Sequence, residues 1–365
     1  MLFNLPNQLN DQIQLGKKPL ELLTSSKFYG VISLFKTNLQ PQMNQITNHY
    51  RYNSTNDIWT INGASNKGCI YILEWWLKTR NESGLELNYD QNAINWASAK
   101  GHVEILEWWL KARDESGLEL KYDQNAINWN SYNCHIKTLE WWKNSGLELK
   151  YTEWAINWAS EKGHVKVLEW WLKVHQETGL ELKYAEVAIN KASSEGHISV
   201  LEWWLKALNE FGLELKYDQW AINWASSRGQ INVLEWWLKA RHESGLELKY
   251  DSFAMDCASQ NNHIEVLNWW LKAHKLSGLK LKYSTEAIDG TSKFGTIEVL
   301  EWWLKAHNDS RLELKYDLNT IPLGYFTCRP HIFEWWENSG LKLPEGLVEK
   351  FRARVAKINE LTFVN

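Results

Sequence analysis

No stretch of this sequence approaches the run of about 18 apolar residues that a membrane-spanning helix needs. Its start, Met1-Leu-Phe-Asn-Leu-Pro-Asn-Gln, lacks the charged head and apolar middle of a secretory signal. A soluble, cytoplasmic protein is therefore expected. Neither sign of charge dominates: 40 basic against 44 acidic residues leave a net charge of -4, with lysines alternating with glutamates. That balance excludes the basic stripe expected of a nucleic-acid or anionic-membrane surface. Four cysteines, Cys69, Cys134, Cys257 and Cys328, lie far apart with no C-x-x-C among them. Neither a zinc site nor a disulfide framework is indicated, and free thiols in a reducing compartment are expected. There is no G-x-S-x-G, no P-loop and no G-x-G-x-x-G. No catalytic residue, metal or cofactor is predicted, and the chain reads as a non-enzyme.

What the sequence does have is a Trp-Trp pair in the frame Leu-Glu-Trp-Trp-Leu-Lys. It recurs at Trp75, Trp108, Trp141, Trp170, Trp203, Trp236, Trp269, Trp302 and Trp335, each followed by a second tryptophan. The spacing is 33 residues throughout, except for one interval of 29 between Trp141 and Trp170. A fixed period of this size marks stacked supersecondary units, each too small to bury its own apolar face. About nine units are expected over residues 58–340. Residues 1–57 would cap the N-terminal side and hold a degenerate repeat around Leu22–Phe35. Residues 341–365 would cap the other end with an amphipathic helix carrying Leu347, Phe351, Val355, Ile358 and Leu361.

One unit illustrates the local physics. Gln91 to Lys100 reads as a first helix, with Ile94, Ala97 and Ser98 on one side, small enough for close helix contact. Gly101 ends it. Val103 to about Glu115 reads as a second helix whose Ile105, Leu106, Trp109 and Leu110 form one apolar stripe. Glu107 precedes Lys111 by one helical turn and is expected to pair with it on the solvated side. Gly117 stops this helix. Asp90, Asp123, Thr152, Asp218, Asp251, Ser284 and Asp317 share one slot as N-caps, each after a tyrosine expected to staple the helix start; Ala185 is the exception. The first tryptophan of each pair, such as Trp108, is expected to pack sideways in an indole ladder. The second, such as Trp109, should be core.

The run Ala93-Ile-Asn-Trp-Ala-Ser-Ala-Lys-Gly-His-Val-Glu-Ile-Leu-Glu-Trp-Trp-Leu resembles the ankyrin repeat pattern from P-L-H-x-A-A onward, with Asn95 in place of histidine. The resemblance covers about residues 58–340. It implies an all-α helical-repeat solenoid of stacked helix-turn-helix units. The stretch from Gly117 to Ala126 is four residues shorter than the family's connection, so the linkers should lack the family's β-hairpin finger. In the family the Gly-His histidine is structural, which accounts for His102, His135, His164, His197 and His263. The first helix of the family lines a concave groove that binds other proteins.

Variation among the units concentrates on one face of the first helix, at i, i+4 and i+8. Here lie Trp96 and Lys100, then Trp129, then Trp154, Trp158 and Lys162, then Trp220, Trp224 and Arg228, then Phe253. These are the candidate partner-binding residues, an aromatic–cationic stripe suited to a peptide with apolar and acidic side chains. The Trp96-type residues read equally well as core between first helices. A monomeric scaffold or adaptor binding a protein or peptide, with no nucleic acid and no membrane, is the leading expectation. The alternative is a substrate receptor of a ubiquitin ligase, docking through Leu5-Pro-Asn-Gln-Leu-Asn-Asp-Gln-Ile, which faintly resembles the opening of an F-box.

Overall fold

The computed structural model describes residues 60–362 apart from 85 and 295. The cap expected at 1–57, with its degenerate repeat and F-box-like segment, lies outside them. Among the described residues every regular element is a helix, and the linkers contain no strand. The chain divides into two compact units, Met1–Ala159 with Lys166–Lys183, and Ser160–Val165 with Tyr184–Asn365.

In its described part the first unit holds α1 (Ile61–Lys67), α2 (Ile70–Ser83), α3 (Asn92–Ala99), α4 (Val103–Ser116), α5 (Asn125–Tyr132) and α6 (Ile136–Asn144). It also takes most of α7 (Trp154–Glu161) and of α8 (Val165–Thr178). The second unit holds α9 (Val187–Glu195), α10 (Ile198–Phe211), α11 (Trp220–Ser227), α12 (Ile231–Ser244), α13 (Phe253–Gln260) and α14 (Ile264–Ser277). After these come α15 (Glu286–Phe294), α16 (Ile297–Ser310), α17 (Leu323–Cys328), α18 (Pro330–Asn338) and α19 (Leu347–Thr362). The odd-numbered helices to α17 are first helices of pairs, and the even-numbered ones are second helices. Gly101 and Gly117, at φ of 76° and 65°, close α3 and α4 as the sequence predicts. The 29-residue interval has its expected cause: α6 has 9 residues where α4 has 14.

Within each unit the first helices pack most closely on one another. Their facing positions are alanines with no exposure, among them Ala93, Ala97 and Ala126 in the first unit and Ala188, Ala192, Ala221, Ala225, Ala254 and Ala258 in the second. Small side chains let helix axes approach, and the wider spacing of the second helices is filled by indole. Every second tryptophan from Trp109 to Trp336 is at most 1% exposed. A buried indole N–H must find an acceptor, and each finds a serine on the first helix of the preceding pair. In the first unit Trp109 Nε1 donates to Ser65 Oγ at 3.2 Å, Trp142 to Ser98 at 2.7 Å and Trp171 to Ser131 at 3.2 Å. In the second, Trp204, Trp237, Trp270, Trp303 and Trp336 donate to Ser160, Ser193, Ser226, Ser259 and Ser292 at 3.0–3.2 Å.

Two further stitches join successive pairs. The first uses Asn95 on α3. Asn95 Nδ2 donates to Asp123 Oδ1 at 2.8 Å while Asn95 Oδ1 accepts the Asp123 N–H at 3.2 Å. Asp123 also takes the Asn125 N–H at 2.8 Å, so one carboxylate caps its own helix and clamps the previous one. The second stitch runs through the linkers. The Tyr89 hydroxyl donates to Glu119 O at 2.9 Å, and Lys121 Nζ sits 4.8 Å over the Tyr89 ring. The ring itself lies on Trp109 at 4.8 Å. Burial pushes the Tyr89 phenol above its ordinary pKa, which keeps the donor protonated. His102 packs against the preceding pair. Its Nε2 is 3.1 Å from Asn66 O, and its ring occupies the space a β-carbon at Gly68 would need.

Two local details are added. Among the described residues the ring pairs of the first tryptophan run to the second one of its own helix, edge-on at 5.1 Å for Trp108 and Trp109, and Trp302 Nε1 donates to Asn268 Oδ1 on the preceding second helix at 2.7 Å. Tryptophan pairs adjacent in sequence diverge by about 100° around a helix, which brings them edge to face. On the solvated side Lys111 pairs at 3.8 Å with the later Glu115, and Lys206 at 3.7 Å with Glu210; these pairs are exposed and worth little. At the C-terminal end, α19 buries Leu347 and Phe351, the latter stacked on Phe333 at 3.8 Å and 18°.

The indole–serine bond makes a specific demand. Ser226→Ala removes the acceptor of Trp270 and should cost about 1–3 kcal/mol in urea unfolding. A loss no larger than the ~0.5 kcal/mol of an ordinary surface change would show that the bond contributes nothing. The second expectation concerns α9, whose start lacks a side-chain cap, the Ala185 side chain carrying no oxygen. Ala185→Asp should raise stability by about 0.5–1 kcal/mol, visible as a higher urea midpoint.

Candidate functional site

Stacking consumes most of each first helix. Alanine, isoleucine, asparagine and serine at 93, 94, 95 and 98 are buried, and so are their counterparts in α11 at 221, 222, 223 and 226. The i, i+4, i+8 face is what remains in contact with solvent. Trp96 and Trp129 lie on it in α3 and α5, both half-buried, and Lys100 is exposed just beyond α3. Neither tryptophan forms a ring pair among the described residues. This exposure is intermediate between the groove and core alternatives.

The rings come together at two places, one in each unit. In the first unit, Trp154 and Trp158 on α7 lie 5.3 Å apart at 31°, and Tyr132 at the end of α5 meets Trp158 edge-on at 5.9 Å. Trp154 is 40% exposed, high for so large an apolar side chain. In the second unit, Trp220 and Trp224 on α11 stack at 5.2 Å and 27°, and Phe253 on α13 meets Trp220 edge-on at 5.2 Å. Phe253 is 37% exposed. The i, i+4 spacing places the two indoles of each helix one turn apart, so their faces overlap.

At the second cluster the cations are engaged within the fold. Arg228 forms an ion pair with Glu195 one repeat earlier. Lys191 lies 5.0 Å over the Trp224 ring and 3.9 Å from Glu161. Lys162 is exposed just after α7. At the second cluster the charge is therefore balanced locally and the indoles dominate the surface. Of the residues here, Tyr132 and Glu161 lie outside the i, i+4, i+8 slots, and Lys191 and Glu195, which lie in them, gain partners only in the fold. Tyr132 had a signal, being the one aromatic in a slot otherwise holding Ala99, Glu161, Ser194, Ser227, Gln260 and Lys293. Arg228–Glu195 and Lys191–Glu161 carried none, because each joins residues about one repeat apart.

Burial, reinforced by Asp256, pushes the Cys257 thiol up to about 11, so it is held as a poor nucleophile. His175, His274 and His307 each donate Nδ1–H to a linker carbonyl at 2.7 Å, closing the second helix. Among the described residues no group of three or more His, Cys, Asp or Glu side chains could hold a metal ion. No described helix is long and apolar enough to cross a membrane. No protein-family model and no curated protein matches this chain.

Proposed function

We propose that the chain is a non-enzymatic, monomeric scaffold or adaptor of the cytoplasm. It would be built of ankyrin-type repeats without the hairpin finger and hold a protein partner on the first-helix face. The observation that carries this reading is the Trp220–Trp224–Phe253 cluster. Large rigid rings stay wet there, while the neighbouring positions of the same helices are buried and every second tryptophan from Trp109 to Trp336 is sequestered. Exposed aromatics gathered on an ordered surface are the usual anchors of protein interfaces. Closer approach of the first helices within each unit makes their outer surface the shorter side, which suits a groove.

The ion pairs sharpen the class of partner. With Arg228 held by Glu195 and Lys191 by Glu161 and the Trp224 face, the cluster offers ring faces more than net positive charge. It therefore suits an extended segment of apolar or proline-like residues better than a strongly acidic one.

The test is a displayed peptide library selected on the wild-type chain and then measured on a Trp154→Ala, Trp220→Ala double variant. Selected peptides should lose at least about tenfold in affinity, as hot-spot truncations do. The melting temperature should move by no more than about 3 °C, since neither ring is core. A large loss of stability with binding intact would place these rings in the core and overturn the reading.

A further inference from the structure

The clamps between successive pairs in the second unit form a natural series. Asn190 with Asp218, and Asn223 with Asp251, match an amide to a carboxylate. In both, the amide oxygen accepts the aspartate N–H at 3.3 Å and the amide nitrogen donates to the carboxylate at 2.8 Å. At the next junction the amide is replaced by Asp256, and the residue opposite is Ser284. Its N–H and its hydroxyl both donate to the carboxylate, at 2.8 and 2.7 Å. Each of these junctions has two complementary bonds.

At the last junction both partners are carboxylates. Asp289 has no exposure, and its two oxygens each lie 3.0 Å from the Asp317 N–H. Asp317 already accepts the Asn319 N–H and the Asn319 Nδ2, each at 3.1 Å. With both groups ionised neither has a hydrogen to give the other. The side-chain bond made by Asn190 and by Ser284 at the earlier junctions is then lost.

We infer that Asp289 and Asp317 form a proton-gated clasp, closed in acid and open at neutral pH, which sets how firmly the final helix pair is held to its neighbour. A proton on Asp289 restores the missing donor and removes a charge that is fully buried. The surroundings favour that proton. Burial pushes the Asp289 carboxyl up to about 6, outweighing the Asp317 N–H and the Thr285 hydroxyl that donate to it. On α15 itself Lys293 and Glu286 act in opposite directions. From α13 comes Asp256, whose oxygens Ser284 occupies. Because the carboxyl is raised in the folded state, its stabilisation is complete below the ordinary carboxylate range near pH 4. It disappears as pH climbs through about 6.

Hydrogen–deuterium exchange on the full chain tests this, comparing wild type with Asp289→Asn at each pH so that intrinsic exchange cancels. At pH 7.5 the amides of residues 317–338 should be about tenfold better protected in the variant, the scale of one buried hydrogen bond. At pH 4.5 the two chains should converge. Asp317→Asn places the donor on the opposite side of the clasp and should remove the pH dependence in the same way; it also serves if the first variant folds poorly. A ratio that stays constant across this pH range would overturn the clasp. Equal protection at pH 7.5 would do the same.

Discussion

The buried indole N–H of each second tryptophan from Trp109 to Trp336 needs an acceptor, and that acceptor lies on the preceding helix pair. That one requirement organises the stack. Trp142 can be fully enclosed because Ser98 accepts its proton, and the serine hydroxyl passes its own hydrogen to Ala126 O at 2.6 Å. Burial of so large a side chain contributes several kcal/mol, but only while the polar atom is satisfied. Tryptophan and serine are thus two halves of one contact, 44 residues apart. The short repeat shows the logic. Its deletion falls beyond Trp142 in the tail of α6, so Trp142 keeps Ser98, and Trp171 keeps Ser131 at a separation of 40.

The other stitches refine this contact. Asn95 and Asp123 orient one first helix on the next, while Tyr89, Lys121 and Glu119 tie linker to linker. Each uses a side chain that serves two purposes: Asp123 caps and clamps, and Tyr89 covers Trp109 while donating to a backbone carbonyl. Such sharing leaves few positions free. On the first helix only the i, i+4, i+8 face escapes, and the variable tryptophans gather there. The proposed binding surface is therefore what remains after packing has taken its positions. Its electrostatics follow from the same geometry, because Arg228 and Glu195 occupy one slot in adjacent repeats and neighbour each other once the repeats stack.

Much of this was legible along the chain. The helices, their glycine stops at Gly101 and Gly117, the short third repeat and the core role of Trp109 follow from periodicity and turn chemistry within a few residues of each position. The choice of partners was not. Ser98 reads as a small residue for close packing, and only the stack reveals it as the acceptor for Trp142. Lys111 has glutamates one turn away on both sides, and spacing alone favoured the earlier one.

What the sequence determined by itself is the repeating unit: an all-helical pair, its period, its buried face and the face left to vary. Those are local properties, set by hydrophobic spacing and backbone preference over one or two helical turns. Tertiary structure alone decided which residue meets which across the repeat: Trp109 with Ser65, Arg228 with Glu195, Asp289 with Asp317. These partners lie 28 to 44 residues apart. Their meeting depends on the offset between stacked helices, which no single repeat contains.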